Sequence, residues 1–305
     1  MCYISLQTPV LSSANANLTH FYRHIFKTLL LKTFLSKISP VKKFALLILV
    51  FWLVAVIVGR LWQLSPNAIE LNAILNPPGW HFFLGADDLG RSIAARLLRG
   101  VEVSFLVAAV VTSITMLIGI SVGLLAGFYG GKVDSILMQI TDIFLAFPGI
   151  LLAIAFAAVL GPGLGNLMLA LCLTGWVSYA RLTRGQTLSL RDRQHVLAAK
   201  SLGAKPLRLI LKHILPLLAS VLVVEATYSL ASVMIAEASL SFLGLGIQSP
   251  NASWGAMLRD AVRYMLVAPH YVLIVGASLM SLILAINLGG DYLRDALDVR
   301  GNEHE

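Results

Sequence analysis

The stretch VSFLVAAVVTSITMLIGISVGLLAGFYGG, residues 103–131, runs for 29 residues without a charge. A membrane-crossing helix needs roughly 20 predominantly apolar residues, so this stretch alone is long enough to span a bilayer. Similar runs lie on either side. Residues 44–59 are free of charge and are extended past Arg60 by Leu61 and Trp62. Residues 143–180 form a run of 38, too long for one crossing, and Gly161-Pro162-Gly163 sits in its middle. Proline and glycine break helices, so this run reads as two spans joined by a tight hairpin. Between His213 and Leu258 the only charges are Glu225 and Glu237, and Pro250 closes the apolar part. Residues 264–290 supply the last run. The expectation is an all-α, polytopic membrane protein with six transmembrane helices.

Composition agrees. Of 305 residues, 58% are hydrophobic and 12% charged, against about 25% charged in an ordinary soluble domain. Mean hydropathy is +0.83. The net charge of +8 reads as membrane topology before it reads as nucleic-acid affinity, and no nucleic-acid partner is expected. Lys and Arg accumulate in cytoplasmic loops. Six lie in residues 1–43, one is Lys132, eight lie in 181–216 and two in the C-terminal tail, which makes 17 of the 23 cytoplasmic if both termini are inside. The chain then divides into a cytoplasmic tail 1–43, a first span 44–62, a periplasmic segment 63–100, a five-helix transmembrane domain 101–292 and a cytoplasmic tail 293–305. The multi-pass topology places it in a membrane, with the lipid bilayer as partner.

The tail has a pattern of its own. Leu18, Phe21, Tyr22, Ile25, Leu29 and Phe34 fall at helical spacing among Arg23, Lys27 and Lys32. An amphipathic helix on the inner leaflet and an unordered basic tail both fit. A cleavable signal would place its apolar core in the first 15–30 residues, whereas the first run here starts at Phe44.

The mechanistically informative segment is HVLAAKSLGAKPLRLILKHILP, residues 195–216. Val196, Ala199 and Leu202 follow one helical turn. Gly203 suits the left-handed residue that ends many helices, and Pro206 suits the first position of a second helix. Leu207, Ile210, Leu211 and Ile214 continue the apolar pattern. The segment reads as helix, bend and helix, with the small residues Ala198, Ala199, Gly203 and Ala204 at its tip allowing another protein to approach. A plain surface helix beside the headgroups fits the composition equally.

That segment resembles the coupling-helix signature of binding-protein-dependent ABC importers, E-A-A followed three residues later by Gly. Ala198, Ala199 and Gly203 match, while Leu197 stands in the place of the acid. The variant A-A-x-x-L-G-A is complete from Ala198 to Ala204, and the closing H-I-L-P is His213 to Pro216, followed by Leu217 in place of Asn. Other stretches are similar to the second ("C-type") permease subunit of peptide and nickel importers. They are GADDLGRSIAARLLRG (85–100), GFYGGKVDSILMQITDIFLAFP (127–148), LGPGLGN (160–166), AEASLSFLGLGIQSPNASWGAML (236–258) and NLGGDYLRDALDVRG (287–301). Ala86, Ser92, Ala95, Gln139 and Val299 depart from the pattern. Five motifs in order cover residues 80–301.

The resemblance implies a type I ABC importer transmembrane-domain fold. It implies a non-catalytic permease subunit that forms a translocation path with a homologous permease for di- or oligopeptides, with nickel as the alternative cargo. It implies two cytoplasmic ABC ATPase subunits that bind the ATP and Mg, and a periplasmic or lipid-anchored solute-binding protein. The chain has no G-x-x-x-x-G-K-[ST] phosphate loop, so ATP hydrolysis is not expected of it. Val196, Ala198, Ala199, Lys200, Leu202, Gly203, Ala204 and Pro206 would contact the ATPase. A stand-alone secondary transporter is the rival class, but residues 44–160 and 164–290 show no repeat of the kind such carriers often have.

Individual polar residues carry narrower expectations. Glu225, Ser229, Ser232, Ala236 and Ser239 share one helix face, which suits a pore wall or subunit interface, or close packing of small residues. Glu237 lies about 120° from Glu225 and reads as a structural contact. Asp142 reads as opening the third span, with a capping role, and Pro148 as bending it. Asp134 precedes it by eight residues on roughly the same face. In the periplasmic segment, Pro77-Pro78-Gly79, Trp80, Asp87 and Asp88 suit either a surface for the binding protein or an interfacial helix with Arg91, Arg96 and Arg99 near headgroups. Trp254 reads as an aromatic-belt anchor. Catalytic residues are not expected. Cys2 and Cys172 are far apart and on different sides of this topology, so they fit neither a disulfide nor a metal site, and His20 with His24 lacks a third ligand nearby, so no metal site is expected.

Overall fold

A computed structural model describes residues 40–61 and 64–297. The tail patterns at 1–39 and 298–305, including His20 and His24, lie outside the described residues. Contacts divide the chain into Met1–Phe44 and Ala45–Glu305, and of the first unit only the opening residues of one helix are described.

The regular structure of the described residues is helical apart from an isolated bridge between Ala86 and Ser92, with turns and loops between the helices. The helices are α1 (Pro40–Leu61), α2 (Ile93–Tyr129), α3 (Gly131–Leu145), α4 (Gly149–Leu160), α5 (Leu164–Arg191), α6 (Gln194–Ser201), α7 (Pro206–Phe242), α8 (Trp254–Val262) and α9 (Pro269–Leu297). Within α7 the stretch Leu209–Ile214 is a π-helical turn. Four helices, α1, α2, α7 and α9, are long and apolar enough to cross a membrane, and a fifth crossing appears if α3 and α4 count as one broken span. The count of six is thus met in part. The remaining candidate, α5, is 28 residues long, but its C-terminal third is polar and basic.

All but the last two residues of the 103–131 run lie in α2, which starts ten residues before it. Ser92 caps that helix by accepting from the Ala95 amide, a common way to satisfy a free N-terminal donor. The sequence boundary at 100 therefore falls within α2 rather than at its start. Gly130, in the left-handed region at φ +66°, ends it. Along its length Gly119, Gly123 and Gly127 recur every four residues and face α5. A Cβ at Gly123 would lie 2.5 Å from the Ala180 carbonyl oxygen, and one at Gly127 would lie 2.7 Å from Thr187 Cβ. Glycines at this spacing let two backbones approach, which is how helices associate where lipid removes the hydrophobic drive.

The hairpin at Gly161-Pro162-Gly163 is where the sequence placed it, between α4 and α5. Pro148 does more than bend the third span. α3 ends at Leu145 and meets α4 at 82°, because residues before a proline are pushed out of the helical region. Asp142 consequently sits in the last turn of α3 and opens nothing, a correction to the capping expectation. Asp134, in the first turn of α3, pairs with Arg184 of α5, Nη2 to Oδ2 at 2.7 Å.

The core near α8 corrects two further expectations. Trp254 is fully buried. Its Nε1 donates to the Leu97 carbonyl at 2.9 Å and its ring lies 5.0 Å from that of Trp52. It is a core residue joining α1, α2 and α8 rather than a belt anchor. Arg91 and Arg96 are buried too, 3% and 1% exposed, instead of lying near headgroups. Both pair with the fully buried Asp87, through Nε at 2.7 and 3.2 Å. Asp87 also accepts from the amides of Leu89 and Arg91. Burial, then the nearby charges of Asp87 and Asp260, push the Asp88 carboxyl above the usual range. Arg99 pairs with Glu102, which also takes Arg60 from the end of α1. Removing one partner of a buried ion pair leaves charge uncompensated and costs about 3–5 kcal/mol. Asp87→Ala is therefore expected to lower the melting temperature in detergent sharply. A melting curve matching the parent would refute a stabilising role for the Asp87 ion pairs.

Candidate functional site

Two places gather the residues that the sequence singled out. The first is the elbow between α6 and α7. The amide of Ala204 donates to the Ala199 carbonyl at 3.1 Å and that of Gly203 to the Lys200 carbonyl at 3.0 Å. This pair of bonds is a Schellman C-cap, and it requires the φ of +83° that Gly203 adopts. Lys205 is extended and Pro206 occupies the first turn of α7. The predicted order of helix, glycine bend, proline and helix is present.

The elbow residues divide by burial. Val196 is buried, and Ala199 and Ala204 are half-buried, all three packed on a cluster that includes Leu124, Leu190, Leu209, Ile210 and Ile214. Ala198, Lys200, Gly203 and Pro206 are exposed. Leu202, expected on the same face as Val196 and Ala199, is instead 89% exposed. α6 ends at Ser201, so the Gly203 bend and not the helical period sets its direction. No heavy atom lies within 4 Å of where a Gly203 Cβ would stand. Arg193, Lys200, Lys205, Arg208 and Lys212 are all exposed around this tip. Arg191 ties its base to α2 by donating from Nη1 to the Gly127 carbonyl at 2.9 Å.

The second place is an open cavity of about 460 Å³ lined by α4, α5 and α7. Glu225, Ser229, Ser232, Ala236 and Ser239 all line it, so the stripe forms one wall as its spacing predicted. The opposite wall, from α5, was not anticipated. It brings Thr174, Ser178 and Tyr179. The available signal was the i, i+4 pair Thr174 and Ser178 inside an otherwise apolar run. Ser229 Oγ lies 3.5 Å from Thr112 Oγ1. Glu237 is outside the cavity wall and fully buried. It accepts from Ser104 of α2 at 2.7 Å and from Ser241 at 2.8 Å, the structural contact its position suggested. Among the described residues no three metal-ligating side chains come together.

The family described as "Binding-protein-dependent transport system inner membrane component" matches residues 119–300, which include both places. The chain belongs to that family. Relatives span most of this permease and most of their own length. The glutathione transport system permease protein GsiD of Pectobacterium atrosepticum is 41% identical over 77% of this chain and 78% of its own. The dipeptide transport system permease protein DppC of Bacillus subtilis is 39% identical over 83% and 80%. The probable D,D-dipeptide transport system permease protein DdpC of Escherichia coli is 41% identical over 77% and 78%. In fold, the permease is similar to an inward-facing structure of the MetNI methionine ABC transporter. The TM-score is 0.55 at 22% identity, covering 66% of this chain and 95% of the other. The fold is the helical transmembrane domain of such importers.

Proposed function

We propose that this permease is one of two homologous membrane subunits of an ABC importer for di- or oligopeptides, and that its α6–α7 elbow docks on a cytoplasmic ATPase. The observation that carries the elbow's role is Leu202, exposed at the tip while Val196 anchors the same turn in the core. An apolar side chain held outward on a Schellman bend, ringed by cations, suits insertion into a groove on another protein. The peptide cargo rests on the names of the relatives, with nickel as the alternative cargo. ATP and Mg belong to the partner ATPases, and a periplasmic or lipid-anchored binding protein supplies the substrate. α5 makes the sixth crossing, and both termini face the cytoplasm of a bacterial inner membrane. The cavity wall from Glu225 to Ser239 faces the translocation path.

Alternation follows from differential stabilisation. ATP-driven closure of the ATPase pair favours one packing of the helices over another, and the elbow transmits that bias. Purification of the tagged permease in mild detergent is expected to bring down a homologous permease and ATPase subunits. A chain that purifies alone and moves substrate in liposomes without ATP would establish a secondary carrier instead.

A further inference from the structure

We propose that Glu225 makes the cavity between α4, α5 and α7 a subsite for a cationic side chain of the cargo, such as the ammonium of a lysyl dipeptide in transit. This inference rests on the reading of the chain as a peptide permease. Its starting point is a difference among the acids of the membrane helices. Glu102 holds Arg60 and Arg99, Asp134 holds Arg184, Glu237 accepts from two serines, and Asp291 accepts from Tyr228 at 2.6 Å. Among the described residues Glu225 and Asp142 have no side-chain hydrogen bond or ion pair; Asp142 is exposed at the end of α3, and of the two only Glu225 lines the cavity. An ionisable group at membrane depth is costly and is normally held by a partner or faces a watery cavity. Glu225 does the second.

The surroundings define what would complete it. Among the described residues no Lys, Arg or His lines the cavity, so the carboxylate is the single formal charge they place on its wall. The other polar groups there are hydroxyls, Thr174, Ser178, Ser229 and Ser232 among them. Hydroxyls rotate to donate or accept. They can therefore pair with peptide amides of any sequence without neutralising the acid. One carboxylate with hydroxyls falls short of the ligand set that divalent transition metals require, whereas an ammonium needs one carboxylate and a few acceptors. The volume of about 460 Å³ lies within the range of small-ligand pockets, roughly 300–1,000 Å³. A group of this kind, met in passing, would rank cargoes by charge instead of holding one tightly.

The test uses the complete complex, both permeases with the ATPases and binding protein, in proteoliposomes. Uptake of dilysine, dialanine and diaspartate is measured and read as ratios, so that differences in assembly cancel. Glu225→Gln, which keeps the shape and removes the charge, is expected to lower the dilysine-to-diaspartate ratio about ten-fold, as loss of one charge–charge contact in a partly wet site implies. Glu225→Asp should hold the ratio near the parent's. Should Glu225→Gln fail to assemble, Ser229→Lys decides by placing a cation one turn away, and it should lower the same ratio. An unchanged ratio in Glu225→Gln or, in its place, Ser229→Lys, with the parent active, overturns the subsite alone. That result is also the one expected if a cation of the sister permease pairs with Glu225. A parent complex that takes up none of the three peptides overturns the peptide reading and this inference with it.

Discussion

Gly203→Leu is expected to abolish uptake while leaving the permease inserted and nearly as stable as its parent. The two effects separate because of where Gly203 stands. A Cβ there meets no heavy atom of the described residues beyond its chain neighbours within 4 Å, so the site is open to an added side chain. The backbone cost of holding a non-glycine residue at φ +83° is roughly 1–2 kcal/mol. That is enough to loosen the bend and too little to unfold the protein. The larger loss comes from outside the chain, where a bulky group beside Leu202 would keep the elbow from its groove. Gly203→Ala adds the strain with little bulk and should retain part of the uptake. Uptake assays paired with melting curves in detergent read the two quantities apart. Normal uptake in Gly203→Leu would remove the coupling role of the elbow.

Gly123→Leu should have the opposite signature, a failure of folding rather than of coupling. Its Cβ would stand 2.5 Å from the Ala180 carbonyl oxygen and 2.6 Å from Thr183 Cβ. The first is backbone and cannot swing aside, so α2 and α5 must separate. Overpacking in well-packed regions costs typically 1–3 kcal/mol, and a clash with backbone belongs at the top of that range or above. Membrane abundance and melting temperature should both fall steeply. Ser121→Leu, on an exposed face of α2, is the control and should change stability by less than about 0.5 kcal/mol. Equal behaviour of the two variants would show that the glycine face is not a packing face.

The features readable from sequence were those that a residue imposes on its own neighbourhood. Gly161-Pro162-Gly163 stops one helix and starts another whatever surrounds it, and Gly203 with Pro206 does the same at the elbow. The Glu225–Ser239 stripe was legible because helical spacing alone puts those residues on one face. The features that were missed depend on a partner far along the chain. Trp254 looked like a belt residue because nothing local says that Trp52 and the Leu97 carbonyl await it. Arg91 and Arg96 looked like headgroup contacts because their charge is only cancelled once Asp87 is folded between them. Leu202 followed the period of α6 on paper, but the helix had already ended. The α5 wall of the cavity lay in a run whose apolar majority concealed Thr174 and Ser178.

The 82° corner between α3 and α4 carries a consequence for the lipid. If α3 and α4 are one broken crossing, their corner keeps both from standing along the membrane normal, and α4, with 12 residues, spans about 18 Å at 1.5 Å each. A hydrocarbon core is about 30 Å thick. α2, with 37 residues, exceeds that thickness generously. One subunit therefore presents its annulus with two mismatched heights, a deficit at α4 and a surplus at α2, and the bilayer must thin on one flank and not the other. Acyl-chain length becomes a variable to which the α4 side of the permease is tied and the α2 side is not.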